Sequence, residues 1–270
     1  REKLVILIES ILLGDFEQIG KKTREILWRK VYYDPVATSK KFWKKSNSDL
    51  CVEEALLLNN FIKSAIRHYK TLILKFEDLF NLDLRYIIDF SIIANEADAF
   101  EKRTEKEIYT KNETNHALET IYCFLICLGD LHRYCIELKL AENDISNKWL
   151  AVSYYNEAFK LNPRNGVSHN QLGTLVAGEN FDIEAIFHYI YSLCSPIPAE
   201  LSEANVSRIF QHNVEALEQS SSTIVALGEF NLKQFMQQVI LVIDIFFYDK
   251  EISEFNTLCY SVLVNFKEYL

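Results

Sequence analysis

The residues that could do chemistry are concentrated in one stretch, 127–138, which reads CLGDLHRYCIEL. It follows an almost wholly apolar run, so we expect a buried helix that carries Asp130 and Arg133 in its middle. A buried arginine must be paired or must face a cavity that admits an anion. Asp130 lies one helical turn before Arg133, where it can hold the guanidinium group in place. The pattern therefore indicates either an anion-binding arginine or a purely structural ion pair.

Cysteine and histidine side chains in and beside this stretch offer metal-ligand chemistry, but their placement argues against a metal site. Cys123, Cys127, His132 and Cys135 fall on one continuous predicted helix, where four ligands cannot form a tetrahedron around one zinc ion. His132, His169 and His188 have no partner at catalytic spacing, and the sequence lacks the clustered aspartates and the strand-rich core of a metal-dependent nuclease. We therefore predict no metal, no cofactor and no catalytic residue, as in a protein that is not an enzyme.

The charge distribution favours a local anion site over a nucleic-acid surface. The 270 residues carry a net charge of −9, but residues 1–45 hold 11 Lys or Arg against 6 Asp or Glu. A basic N-terminal region on an acidic protein suits a small anionic ligand, so direct nucleic-acid binding is not expected. No apolar run approaches the roughly 20 residues of a membrane span, so we expect no membrane partner.

The six cysteines indicate the compartment in which the chain works. None of them forms a Cys-x-x-Cys motif, and most lie within apolar helical patterns. We predict buried, reduced thiols, as in a cytosolic or nuclear protein. The sequence begins at Arg1 without a signal-peptide pattern, and we expect it to belong to a longer chain.

The elements that position these residues are predicted from the apolar periodicity. Only 7 Gly and 4 Pro occur, so the elements are long and helices are favoured throughout. Pro35 is expected to stop or kink its helix, because the residue before a proline disfavours helical dihedral angles. Residues 95–113 are charge-dense and predict a surface loop. After a helix within 1–19, the predicted helices span 22–33, 50–80, 114–140, 147–161, 166–178, 181–194, 200–218, 229–247 and 250–268.

An internal repeat lies in the middle of the chain. Tyr155 and Tyr189 are 34 residues apart, and each repeat has a Leu-Gly pair and a closing proline. This period and these residue types are the tetratricopeptide pattern. Gly129 and Gly173 let paired helices approach closely, and the tyrosines fill the gap beside them. Stacked helix pairs of this kind form a concave face that binds peptides.

Several motifs, in this order, resemble the Smg family of nonsense-mediated mRNA decay factors. The resemblance spans nearly the whole chain and is greatest to the branch that pairs with the seventh Smg member. The motifs are ILWRKVYY (26–33), LGDLHRY (128–134), SYYNEAFKLNPRNG (153–166), NQLGTLVAGENFDIEAIFHYIYSL (170–193) and EFNTLCYSVL (254–263).

The resemblance implies an all-α fold: a 14-3-3-like right-handed helical array with tetratricopeptide-type helix pairs, extended by further C-terminal helices. It implies a 14-3-3-like domain at 1–218 that includes tetratricopeptide-like repeats at about 125–198. A linker or loop would occupy 219–228. The C-terminal helices, at 229–270, would pack on the same solenoid.

The resemblance also implies a groove that binds phosphorylated peptides. Arg133 and Tyr134 match an Arg-Tyr pair that grips phosphate in such grooves, and Asn170 matches an asparagine that holds the peptide backbone. Arginine suits this task because its planar guanidinium group binds two phosphate oxygens at once. A tyrosine hydroxyl can donate a further hydrogen bond. The alternative for Asn170 is that it only caps or bridges helices.

Tyr33 departs from the family pattern, because it occupies the position of a phosphate-binding lysine. A phosphate of charge near −2 requires more than one cation. Lys40 could supply the second charge if the helix continues through Pro35, and Lys30 or Arg29 could reach the site from the preceding turn. The alternative is that the lysines within 40–45 are a solvated charged stretch.

The partners are likewise expectations from the resemblance. It implies a non-enzymatic adaptor of nonsense-mediated mRNA decay that forms a heterodimer with the seventh Smg member. The groove would bind phosphoserine or phosphothreonine peptides of the phosphorylated helicase, and other regions would recruit decay or phosphatase machinery. The location would be cytoplasmic, with shuttling to the nucleus. The alternative is a generic tetratricopeptide scaffold that binds unmodified peptides or serves only in complex assembly.

Overall fold

The structure, a computed structural model, describes residues 2–14, 19–46, 52–95, 97–100, 107–140, 144–219, 231–251, 253 and 255–269. Across these ranges the regular structure is helical, apart from one isolated β-bridge between Asn165 and Ile197, so the predicted all-α class is confirmed. The chain divides into two compact units, Arg1–Pro163 and Arg164–Leu270. The domain bounds expected at 218 and 229 stay a prediction, and beyond Gln219 the expected linker lies outside the described residues.

Helices α4 and α6 form the centre of the first unit. Their apolar side chains recur at helical spacing and are almost fully buried, for example Tyr69 and Phe76 on α4 against Phe124 on α6. Each such side chain contributes about 1.5–3 kcal/mol of hydrophobic free energy. The described helices of this unit are α1 (Glu2–Gly14), α2 (Gly20–Ile26), α3 (Asp34–Ser46), α4 (Val52–Leu79), α5 (Ser91–Ala94), α6 (Lys111–Glu137) and α7 (Asp144–Leu161).

The start of α6 is fixed by a capping box. The backbone N–H of Glu113 donates to the hydroxyl oxygen of Thr110 at 3.3 Å, and the Thr110 N–H donates to the Glu113 carboxylate at 2.5 Å. These bonds satisfy helix N–H groups that otherwise have no partner. Residues 97–100 and 107–110 are non-helical, as predicted for the loop, but the last three residues of the predicted loop belong to α6.

The predicted stop at Pro35 is wrong. Asp34 has helical dihedral angles (φ −56°, ψ −42°), and a π-helical segment, Leu27–Tyr33, joins α2 to α3. The Asp34 N–H bonds to the carbonyl of Arg29, five residues back, and this wider turn accommodates the proline that follows. The helical path therefore continues through Pro35, which is the condition for Lys40 to approach Arg133.

The predicted close approach of paired helices is confirmed in both units. Gly129 of α6 faces Tyr155 of α7, and a Cβ atom added at Gly129 would lie 2.6 Å from Cδ1 of the ring. Gly173 of α8 (Val167–Val176) faces Tyr189 of α9 (Ile183–Cys194), and an added Cβ atom would lie 2.8 Å from Cε1. Both distances are far below van der Waals contact, so only glycine fits unless the helices move apart.

The second unit continues with α10 (Ser202–Gln219), α11 (Leu232–Tyr248) and α12 (Phe255–Tyr269). Two apolar clusters hold these helices together. The first lies around Tyr189, Val206 and Phe210, and the second joins Leu217, Leu241, Ile245 and Leu258.

Candidate functional site

Arg133 lies on α6 in the first unit, and only 9% of its surface is exposed. Its Nη2 donates to Oδ1 of Asp130 at 3.1 Å, and its Nε donates to the hydroxyl of Tyr155 at 3.4 Å. Its Nη1 donates to Oε1 of Glu137. The Tyr155 hydroxyl in turn donates to Oδ1 of Asp130 at 2.8 Å. These contacts fix the guanidinium group, and the ion pair considered from the sequence is present.

Lys40 meets the same group of residues from α3. Its Nζ pairs with Oε2 of Glu137, the carboxylate whose other oxygen accepts from Arg133. Side-chain exposure rises from 10% at Arg133 to 27% at Glu137 and 34% at Lys40. Glu137 and Lys40 are therefore the solvent-facing edge of an Arg133 cluster, which we define as Lys40, Asp130, Arg133, Glu137 and Tyr155.

The sequence analysis missed two members of the Arg133 cluster. Tyr155 was expected only as core filler, although its hydroxyl bonds to both Asp130 and Arg133. Glu137 was not considered, although its i,i+4 spacing from Arg133 on one helix was a visible signal.

The two positive and two negative formal charges of the Arg133 cluster cancel. Burial raises the pKa of Asp130, although Arg133 and Tyr155 lower it in part. Burial also favours the neutral acid at Glu137, but the charges of Arg133 and Lys40 outweigh it, and its pKa lies below the usual value. With both carboxylates ionised beside two cations, the cluster is formally neutral at pH 7.

Tyr134 contributes its ring to the surroundings of Arg133. The Arg133 guanidinium carbon lies 4.7 Å from the Tyr134 ring centroid, a cation–π distance. The same ring stacks on Trp28 at 6.5 Å, and Tyr33 lies 6.3 Å from it. Tyr33 thus adds an aromatic ring beside Tyr134. Burial raises the pKa of Tyr134, and hydrogen bonding from its hydroxyl to a phosphate stays a prediction.

Lys30 does not join the Arg133 cluster. Its side chain is 68% exposed, and its Nζ pairs with Oδ2 of Asp34 at 3.0 Å on the same helical path. Lys41 is exposed, in line with the solvated-stretch alternative, and the side chains of Lys44 and Lys45 lie outside the described residues. Lys40 is therefore the predicted lysine that the structure brings to Arg133.

Asn170 belongs to the second unit, where it links α8 to α10. Its Oδ1 accepts hydrogen bonds from Oγ of Ser202 and Nδ2 of Asn205, each at 3.1 Å. Its Nδ2 donates to Oε1 of Gln171 at 3.3 Å, and the residue is 6% exposed. The helix-bridging role considered from the sequence is therefore present, and peptide binding by Asn170 stays a prediction.

His132, His169 and His188 each contact another polar side chain. Among the residues with described positions, no group of three or more His, Cys, Asp or Glu is arranged to hold a metal ion. Nδ1 of His132 lies 2.8 Å from Oδ1 of Asn147. In the second unit, Nδ1 of His169 lies 2.9 Å from Nδ1 of His188. Burial and, after it, the neighbouring His188 lower the pKa of His169 to about 4.

Fold and cluster together define an all-α helical array built on closely packed helix pairs. Two family models match the chain in succession: "Telomerase activating protein Est1" over residues 22–139 and "Est1 DNA/RNA binding domain" over residues 151–270. Only 1–21 and 140–150 lie outside both. The chain therefore belongs to the Est1/Smg family.

The similar proteins include decay factors from vertebrates. The chain is 28% identical over 210 residues to nonsense-mediated mRNA decay factor SMG5 of Mus musculus, which covers 78% of this chain and 20% of that protein. It is 29% identical over 210 residues to SMG5 of Danio rerio, covering 78% of this chain and 18% of the relative. It is 25% identical over 220 residues to SMG7 of Danio rerio, covering 80% and 17%. The chain thus spans about a fifth of the length of these relatives.

A solved structure has the same fold. The structure titled "Crystal structure of Est1 and Cdc13" superposes with a TM-score of 0.65 at 15% identity, covering 98% of this chain and 55% of that one. In the part of the chain with described positions, no helix is long and apolar enough to cross a bilayer.

Proposed function

We propose that this chain is a non-enzymatic adaptor domain of nonsense-mediated mRNA decay that works by binding other proteins. The similarity to SMG5 and SMG7 supports this role. The buried polar residues support it as well, because Arg133 links α6 to α7 and Asn170 links α8 to α10 by side-chain hydrogen bonds, as in a scaffold of fixed helices. The proposed partners are the seventh Smg member and the phosphorylated helicase, with decay or phosphatase machinery recruited by other regions. The proposed location is cytoplasmic, with shuttling to the nucleus.

Within this role, the Arg133 cluster is the proposed phosphopeptide site of the first unit. The observation that carries it is that Arg133 and Lys40, from separate elements, reach the same anionic group, the Glu137 carboxylate. A phosphate of charge near −2 requires such a pair of cations, one of which is ideally the planar fork of an arginine. Phosphate binding by Lys30 and Tyr134 and peptide binding by Asn170 are proposed from the family resemblance alone.

A titration of matched peptide libraries tests the phosphopeptide site. We expect a degenerate library with a central phosphoserine to bind at least about tenfold more tightly than the same library with serine, since a charge-assisted bond is worth over 1.4 kcal/mol. Fluorescence anisotropy measures both affinities. Lys40→Ala should reduce the preference, and Lys41→Ala, its exposed neighbour, is the matched control. Equal affinity for the two libraries would leave only the scaffold alternative.

A second function, heterodimerisation, is favoured by exposed apolar side chains on α3 and α4. Phe42, Leu56 and Leu57 are 65%, 58% and 70% exposed, and Phe42 and Leu57 line a groove of about 440 Å³. Exposed apolar surfaces of this kind mark protein contacts. Mixing this chain with the like domain of the seventh Smg member should give one joint peak in size exclusion. Separate elution of the two domains at micromolar concentration would refute heterodimerisation.

Nucleic-acid binding is disfavoured, although the name of the second family model includes it. The unit Arg164–Leu270 carries 5 Lys or Arg against 13 Asp or Glu, a net charge of −8. A protein that binds a nucleic-acid backbone must neutralise phosphates with cations, and in this unit the acidic residues outnumber the basic ones. A protein partner suits the second unit better.

A further inference from the structure

Glu137 occupies the position that an anionic ligand of the Arg133 cluster would take. Its Oε1 accepts from Nη1 of Arg133 and its Oε2 pairs with Nζ of Lys40, so both of its oxygens are used by the two cations. Glu137 is the last residue of α6, where a negative charge is unfavourable beside the negative end of the helix dipole. What stabilises the carboxylate there is therefore its contact with the two cations.

The two carboxylates of the cluster, Asp130 and Glu137, differ in how easily they can move away from Arg133. The Asp130 side chain is 8% exposed and is also held by the Tyr155 hydroxyl at 2.8 Å. Removing it would leave Arg133 buried without its buried carboxylate partner, which is costly. The Glu137 side chain is 27% exposed and lies at the end of its helix, so it can turn into solvent without opening the core.

Charge decides what can replace Glu137. With Glu137 in place the cluster is formally neutral, and a second anion gains nothing from approaching it. With Glu137 turned outward the cluster carries a formal charge of +1, and the Arg133 guanidinium and the Lys40 ammonium group lose the carboxylate that they share. A peptide carboxylate would only repeat the contacts that Glu137 already makes within the chain, and it would lose translational freedom on binding. A phosphate brings a charge near −2 and three acceptor oxygens.

We infer that Glu137 is an intramolecular competitor that makes the Arg133 cluster selective for phosphate monoester dianions over carboxylates. The inference rests on the proposed phosphopeptide site and assigns its ligand class and the residue that sets it. A phosphorylated serine or threonine displaces Glu137 from Arg133 and Lys40. An aspartate or glutamate in the same peptide does not, so acidic substitution fails to mimic phosphorylation at this site.

The test compares Glu137→Gln with the wild-type chain, using degenerate peptide libraries with phosphoserine, glutamate or serine at the centre. Glutamine keeps the side-chain size and removes the competing charge. We expect Glu137→Gln to bind the phosphoserine library about tenfold more tightly and to gain measurable affinity for the glutamate library. The matched control is Glu119→Gln, because Glu119 is also on α6 and pairs with an arginine, Arg24, outside the cluster. Glu119→Gln should bind like the wild type.

The outcomes separate this inference from the proposed site. Phosphoserine preference in the wild type with unchanged affinities in Glu137→Gln overturns the competitor and leaves the proposed site standing. No preference for phosphoserine in either protein overturns both. Binding of the phosphoserine library by Glu137→Gln alone also overturns both, because phosphoserine then does not displace Glu137 in the wild-type chain. If Glu137→Gln fails to fold by circular dichroism, Glu137→Asp, which is one methylene shorter, should give a smaller gain in phosphoserine affinity, and an unchanged affinity there overturns the competitor.

Discussion

At the scale of single residues, Arg133 has a structural role that does not depend on a ligand. Its side chain is 10% exposed, and its guanidinium group bonds to Asp130, Glu137 and Tyr155. A buried ion pair of this kind adds little net stability over apolar packing, but removing one partner leaves an uncompensated charge. Loss of ligand binding in an Arg133 variant would therefore be confounded by loss of folding, and Lys40, at the exposed edge, is the better residue for binding tests.

We predict that Arg133→Leu lowers the free energy of unfolding by about 3–5 kcal/mol, because Asp130 stays buried without its cation. Urea denaturation at pH 7, followed by circular dichroism, measures the change. Adding Asp130→Leu should restore part of the loss. The control is Arg67→Leu, because the Arg67 side chain is 56% exposed and its Nε lies 3.7 Å from Oδ1 of Asp98, a long distance for an ion pair. This substitution should lower the free energy of unfolding by under about 0.5 kcal/mol. A loss under about 1 kcal/mol in Arg133→Leu would contradict the structural role.

At the scale of helices, the sequence predicts the contacts between residues that are near in the chain, and it does not predict the contacts between elements that are far apart in the chain. The helix pairs, the Gly-Tyr contacts and the Asp130–Arg133 pair all follow from spacing within one or two elements. The contact of Lys40 with Glu137 joins residues 97 positions apart, and no local pattern encodes it. The stop expected at Pro35 is wrong for a related reason: the helix continues by way of the π-helical segment Leu27–Tyr33, and residue propensities do not predict such a segment.

The Gly129–Tyr155 contact gives a direct test of the helix pairs. We predict that Gly129→Ala lowers the midpoint of thermal unfolding, because its new Cβ atom would push the Tyr155 ring and α7 outward. Overpacking costs about 1–3 kcal/mol, which exceeds the gain of about 1 kcal/mol from replacing a helical glycine. Gly14→Ala is the control, since nothing lies within 4 Å of its added Cβ atom. An unchanged midpoint in Gly129→Ala would show that the pair can separate freely.

At the scale of the whole molecule, the two units differ in charge and in their titrating groups. The first unit carries a net charge of −1 and the second −8. In the first, hydrogen bonding from His68, opposed by burial and assisted by Lys75, lowers the pKa of Glu9 to about 2. In the second, burial lowers the pKa values of both His169 and His188. Acid therefore acts on the two units in different ranges of pH.

The direction of each effect follows from which state binds more protons. Near pH 5 a histidine in the unfolded chain, with a pKa of about 6.5, is protonated, whereas the buried His169, with a pKa of about 4, is neutral. Because the unfolded state binds more protons, the second unit loses stability as the pH falls from about 6.5 to 4. The Glu9 carboxylate of the first unit stabilises the fold above about pH 4.5, and that contribution is lost only as the pH falls toward 2. At pH 5 the second unit has therefore lost stability, whereas the contribution of Glu9 to the stability of the first unit is unchanged.

All three tryptophans, at positions 28, 43 and 149, lie in the first unit, so their fluorescence reports that unit alone while circular dichroism reports both. We predict that lowering the pH from 7.5 to 5 reduces the thermal midpoint measured by circular dichroism more than the midpoint measured by tryptophan fluorescence. Replacing His169 and His188 together by glutamine should abolish the difference between the two shifts, because glutamine does not titrate. Equal shifts by both probes in the wild type, or a difference that survives the double replacement, would mean that these buried imidazoles do not set the acid sensitivity of the second unit.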